Sequence, residues 1–198
     1  MKSIQTQVQP SPVSNLRAKD RILLAAHDLF YQEGIRATGV DRVIAESCVT
    51  KVTFYRHFPS KNALILEFLQ YRHQRWIAWF QDALQRNGGN TKAIAPALAE
   101  WFRDDGFRGC AFINSVGELG GAMPEVIEIT RQHKQEMAAA IASVLPPSRQ
   151  RPRDAQAIAL VIDGAIIRAQ FDETPEDALL GLERILKLLL TRKLPTSG

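Results

Sequence analysis

The stretch Thr38–Leu66, TGVDRVIAESCVTKVTFYRHFPSKNALIL, reads as two short helices, a tight turn between them and the start of a third helix. Thr38 and Asp41, three residues apart, have the form of a capping box, in which each side chain serves an orphan amide of a first helical turn. Val40, Val43 and Ile44 then share one face. After Ser47-Cys48-Val49, Thr50 is placed to cap a second short helix. There Val49, Val52 and Phe54 offer apolar contacts, while Thr50, Lys51, Thr53, Tyr55 and His57 offer hydrogen-bonding groups. So many polar groups on so short a helix point to a helix-turn-helix, with duplex DNA as its partner.

The flanks extend the pattern. Leu16–Glu33 carries Ile22, Ala26, Leu29 and Phe30 on one stripe and stops at Gly34, so it forms a helix that packs on the two short ones. Pro59 ends the recognition helix, and Ser60 caps a long helix with an apolar stripe from Leu64 to Leu84, closed by Gly88-Gly89. Beyond it every segment that can be phased is helical: Ile94–Phe102, Phe112–Leu119, and a segment opened by Pro124 and closed by Pro146-Pro147. Two more helices follow, over Pro152–Phe171 and Pro175–Leu190. Period-two alternation never persists. The fold class is therefore all-α.

Charge is segregated along the chain. Residues 1–75 hold 11 Lys/Arg against 6 Asp/Glu, and the remainder holds 14 against 15, so the whole positive surplus of the +4 chain lies with the helix-turn-helix. That is the electrostatic footprint of phosphate binding. A hydrophobic content of 45% over 198 residues allows a small domain and a larger one. No apolar run approaches the length of a membrane span, and the polar start lacks a secretory core, so no membrane partner is expected. Cys48 and Cys110, far apart in sequence, fit a reducing cytoplasm better than a disulfide.

The run VTKVTFYRHFPSKNAL, Val49–Leu64, resembles the signature of the TetR family of transcriptional regulators, with its Tyr, its His-Phe pair and its Ser-Lys at the head of a long helix. The resemblance covers Arg17 to about Phe68. Cys48 and Val52 depart from it, each standing where the family often has Gly. It implies an N-terminal three-helix DNA-binding domain over residues 16–60; the stretch 1–15 before it, rich in Gln, Ser and Pro, reads as a flexible arm. A long helix then joins the DNA-binding domain to a helical effector-binding and dimerisation domain over 61–198. Thr50, Lys51, Val52 and Thr53 open the recognition helix and are the candidates for base reading. The resemblance places Tyr55, His57 and Lys61 at the DNA backbone, and Thr38 offers a further phosphate contact.

Trp76, Trp79, Phe80, Trp101, Phe102 and Phe112 concentrate aromatic surface in mid-chain. With Asn114 and His133 they are candidates to line a small-molecule pocket, as in relatives that bind ligands beside the long helix. The helix over Pro152–Phe171 is apolar on two sides, through Ile158, Ile162 and Ile166 and through Val161, Ala165 and Ala169. Together with Leu182, Ile185, Leu186 and Leu189 of the last helix, these residues are expected to meet a second copy in a four-helix bundle. A two-fold dimer also sets two recognition helices about 34–36 Å apart, as a palindromic operator requires.

The resulting expectation is a ligand-responsive repressor acting as a homodimer on an operator. Two alternatives use the same chain: a thiol-based redox sensor working through Cys48 or Cys110, and a helical interaction adaptor without DNA specificity. An enzyme finds no support, because HExxH, paired CxxC, Gly-rich phosphate loop and GxSxG are all missing and the four His are scattered. No metal or cofactor is called for.

Overall fold

The computed structural model of the chain describes residues 16–191, and every regular element among them is helical. The expected arm at residues 1–15 lies outside them. In order the α-helices are α1 (Ala18–Glu33), α2 (Val40–Glu46), α3 (Lys51–His57), α4 (Lys61–Arg86), α5 (Ile94–Phe102), α6 (Ala111–Leu119), α7 (Pro124–Val144), α8 (Arg151–Phe171) and α9 (Glu176–Thr191). A 3₁₀ turn at Thr91–Ala93 leads into α5. By packing, the chain divides inside α4, between Phe68 and Leu69.

In the first unit Gly34 and Ser60 act as the sequence indicates. α1 ends at Gly34, whose φ of 91° only glycine adopts at little cost. Ser60 Oγ accepts the amide of Ala63 at 3.1 Å and starts α4. Ile22, Ala26, Leu29 and Phe30 of α1 are buried together with Val43, Phe54, Phe58, Leu64 and Phe68. Phe30 and Phe68 meet edge to face at 5.5 Å, an arrangement that adds quadrupole attraction to the area buried.

The turn between α2 and α3 is the strained point. Cys48 has φ 51°, among the described residues the one non-glycine residue in the left-handed region. Its carbonyl accepts from Arg21 Nη2 of α1 at 3.4 Å. Left-handed backbone costs an L-residue about 1–2 kcal/mol, and glycine's greater unfolded-state entropy takes back about 0.5–1. Cys48→Gly is therefore expected to stabilise the unit by about 0.5–1 kcal/mol in urea titrations. A less stable variant would show that the thiol's contacts outweigh the strain.

In the second unit α8 packs on both α7 and α9, α6 packs on α7, and α5 on α9. This corrects one expectation. Ile158, Ile162, Ala165 and Ile166 of α8, and Leu182 and Leu186 of α9, are buried inside the single chain. They are core, not surface, because α7 and α9 of the same chain cover the isoleucine side of α8 and part of the Val161 side. Val161, Ala169 and Leu189 are half-buried, and Ile185 is exposed.

Candidate functional site

Thr50 caps α3 from extended backbone, its Oγ1 accepting the amide of Thr53 at 3.2 Å. The two threonine hydroxyls also bond to each other at 2.9 Å. Phe54, fully buried, and Phe58 fasten the other side of α3 to the core. That leaves one face outward. Val52 is 71% exposed and Tyr55 44%, with Lys51, Arg56 and His57 exposed beside them. Lys51 Nζ lies 3.5 Å from Asp41 on α2, a tie between two exposed groups. Arg56 is a candidate that the family motif does not mark out; its signal is a cation on the same short helix.

Two of the expected contact residues are used differently. Thr38 is 1% exposed, and its hydroxyl donates to the Gly34 carbonyl at 2.8 Å. It neither caps α2, whose N-cap is Gly39 without a side-chain bond, nor presents a hydroxyl to phosphate. A buried hydroxyl takes the nearest carbonyl, and the unsatisfied end of α1 supplies it. Lys61 Nζ donates to the Ile35 carbonyl at 2.6 Å and lies 6.0 Å from the Phe30 ring centre, so it anchors the loop after α1 whatever else it does.

The aromatic residues of the second unit come together around Trp76. Its indole stacks on Phe80 at 4.8 Å and meets Trp101 at 5.4 Å and His133 at 5.0 Å edge to face. Trp79 is 6.0 Å from Trp76, and Phe102 adjoins Trp101 at 5.9 Å. Phe112 lies flat on His133 at 3.7 Å. Asn114 is spent elsewhere, its amide donating to the Arg108 carbonyl at 3.0 Å. His73 joins the cluster unannounced by any motif: its Nδ1 is 3.2 Å from His133 Nδ1, and its Nε2 is 3.2 Å from Glu136. A spacing of three places it on the Trp76 face of α4, which is the signal that marks it.

Burial, with Lys134, His73 and Arg72 adding to it, pushes the His133 imidazole down to about 2 from its ordinary 6.5. The folded pKa lies below the unfolded one, so unfolded chains bind the proton first as pH falls. Stability is then complete above pH about 6.5 and declines by about 1.4 kcal/mol per pH unit below it. Urea titrations at pH 6.5 and 5.5 are expected to differ by about 1 kcal/mol, the full slope being reached only below the unfolded pKa, and His133→Phe to remove that difference. An unchanged difference in the variant would assign the proton elsewhere.

Cys48 is exposed, whereas Cys110 is buried, with Lys134 Nζ 3.4 Å from its sulfur. Among the described residues no group of three or more His, Cys, Asp or Glu is arranged to hold a metal. No described helix is long and apolar enough to cross a membrane.

The family model of bacterial regulatory proteins, tetR family, matches residues 22–68, the helices that carry this interface. Over 84 residues the chain is 29% identical to the HTH-type transcriptional activator FasR of Mycolicibacterium smegmatis, covering 42% of this chain and 38% of that one. Over 85 residues it is 28% identical to the regulator UidR of Escherichia coli, covering 43% and 40%. The chain thus spans about two fifths of the length of these curated relatives. A likeness over the whole fold comes from SCO4454, a TetR-family transcriptional regulator of Streptomyces coelicolor. Its crystal structure is 30% identical, covers 87% of this chain and 96% of that one, and superposes with a TM-score of 0.75. These relatives are regulators, not enzymes. With the resemblance extending from the recognition helix through the helices of the second unit, the chain belongs to the TetR family of bacterial transcriptional regulators.

Proposed function

We propose that the chain is a cytoplasmic, ligand-responsive repressor that binds a palindromic operator as a homodimer. The observation that carries the DNA reading is the outward face of α3: a capped helix, bolted to the core by Phe54, that keeps Lys51, Val52 and Tyr55 in solvent. An exposed valine beside a lysine suits a major groove, where thymine methyls and guanine acceptors lie side by side. Residues 16–60 form the DNA-binding domain in this reading, with Lys51, Val52 and Thr53 reading bases. Thr50 sets their helix. Tyr55, His57 and Arg56 serve the backbone, and Lys61 adds charge from its seat on Ile35.

Residues 61–198 bind the effector and a second copy. In this reading the dimer face of α8 is the arc opposite its buried isoleucines, and of the residues expected on α9 Ile185 stays in it. Leu160, Gly164, Ile167 and Phe171 fall within one narrow arc of α8, at 100° per residue, facing away from buried Ile162. Leu160 is 74% exposed and Phe171 66%; Leu180, Ile185 and Leu188 of α9 are exposed as well. So much apolar side-chain surface on two adjacent helices marks a partner, and a copy of the same chain supplies the matching surface. The effector acts by favouring one setting of α4 and thereby one separation of the recognition helices.

The test of the DNA reading is a comparison of two variants in a binding-site selection. Lys51→Ala is expected to change the preferred bases, each good base contact being worth about 1–3 kcal/mol of discrimination. Tyr55→Phe is expected to weaken all sites alike. The same preferred bases with Lys51→Ala would remove that residue from the reading set.

A further inference from the structure

Trp76 Nε1 is buried without a hydrogen-bond partner. The indole N–H is a donor only and cannot turn to find an acceptor as a hydroxyl does. Among the described residues the buried serine hydroxyls are satisfied: Ser115 Oγ donates to Ala111 at 2.6 Å, Ser47 Oγ to Val43 at 2.7 Å. Arg21 also has an unpaired Nε, but its Nη2 holds the Cys48 carbonyl. Trp76 has a single polar atom, and it is the unpaired one. A buried side chain whose one donor is orphaned is a place where an acceptor belongs.

The surroundings define what carries that acceptor. Flat rings enclose the indole: Phe80 against its face, Trp101 and His133 edge-on, and Phe112 flat on His133. Trp79 and Trp101 are half-buried and form the solvent side of the cluster. Stacked and edge-on rings receive another planar ring by the same quadrupole preferences that order them. Burial that strips His133 of its proton opposes an ionised ligand of either sign; the positive charges of Arg72 and Lys134 add to this for a cation, and Lys134 already holds Asp163.

We propose that Trp76 is the polar anchor of an effector site that takes an uncharged, planar aromatic molecule bearing a hydrogen-bond acceptor, of the aryl ketone or quinone class. The proposal rests on the ligand-responsive reading under Proposed function and supplies the chemical class of the ligand. The oxygen accepts from Nε1, and the ring lies among Trp76, Trp79, Trp101 and Phe112.

Titration calorimetry of the purified full chain with three probes of one size tests it: 2-acetonaphthone, naphthalene and 2-naphthoate. The ketone is expected to bind about tenfold more tightly than naphthalene, the increment of one buried hydrogen bond. The naphthoate is expected to gain nothing. Trp76→Phe keeps a ring and removes the donor, so the ketone's advantage should vanish while naphthalene binding persists. A measurement that needs no variant at Trp76 runs beside it. In protein labelled with nitrogen-15 at its three tryptophans, the ketone should shift the Trp76 indole N–H resonance downfield and naphthalene should not. Trp79→Phe and Trp101→Phe assign the signals. Failure of all three probes to bind, tightest binding by the naphthoate, or a ketone that leaves the Trp76 resonance in place would each overturn the proposal. Whether the bound ketone alters retention of DNA is a separate readout. No change there, with the ketone bound and Nε1 shifted, would overturn the ligand-response reading and leave the site standing.

Discussion

Leu160→Glu combined with Ile167→Glu is expected to yield a folded monomer whose operator affinity is lower by about a hundredfold or more. Both side chains are exposed in the single chain, at 74% and 39%, so the intrachain core keeps its packing and helical content should not change. In a symmetric dimer each substitution occurs twice across the axis, setting four carboxylates into an apolar interface without partners. The DNA consequence follows from linkage, since two half-site contacts joined in one molecule gain about 10²–10⁴ in avidity over one. Sedimentation velocity and a fluorescence titration on a full operator measure the two effects together. The same pair of glutamates at Ile158 and Ile162 would unfold the chain instead, because those side chains are buried.

Phe54→Ala is the second large effect. The ring is fully buried and packs at 5.2 Å on Tyr55 and 6.1 Å on Phe58, so its loss should cost about 3–5 kcal/mol through lost transfer energy and the cavity left behind. A unit of about fifty residues has little more stability than that to lose. DNA binding should vanish, and hydrogen exchange should report opening of residues 18–68 while α7 and α8 stay protected. Val52→Ala, two residues away and exposed, should leave stability within about 0.5 kcal/mol. Equal costs at the two positions would mean that α3 turns a different face to the core, with Val52 buried beside Phe54.

The helices were readable because their punctuation is local. Gly34, Thr50, Pro59-Ser60, Gly88-Gly89 and Pro124 act within one turn of where they stand, and each marks a boundary of the fold. The recognition face was readable for the same reason, since a helix of seven residues has few ways to divide apolar from polar. What needed the structure is what depends on distant neighbours. Thr38 satisfies every local rule for a cap, and its hydroxyl goes to Gly34 because α1 ends there with a carbonyl to satisfy. α8 carries apolar residues on more than one side, and periodicity does not say which arc its own α7 and α9 will cover. The isoleucine stripe is the more hydrophobic and became core. The exposed stripe is broken by Gly164 and so reads weakly in sequence. His73 and His133 are 60 residues apart, and no spacing rule joins them.

The most direct test of base reading by α3 is selection of bound genomic fragments by the purified full chain at physiological salt, followed by alignment of what is retained. Recovery of a two-fold symmetric sequence with half-site centres about one helical turn apart, or a small multiple of it, is the expected result. Retention of fragments with no shared sequence, by protein shown to be folded and dimeric, would contradict the claim that α3 reads bases.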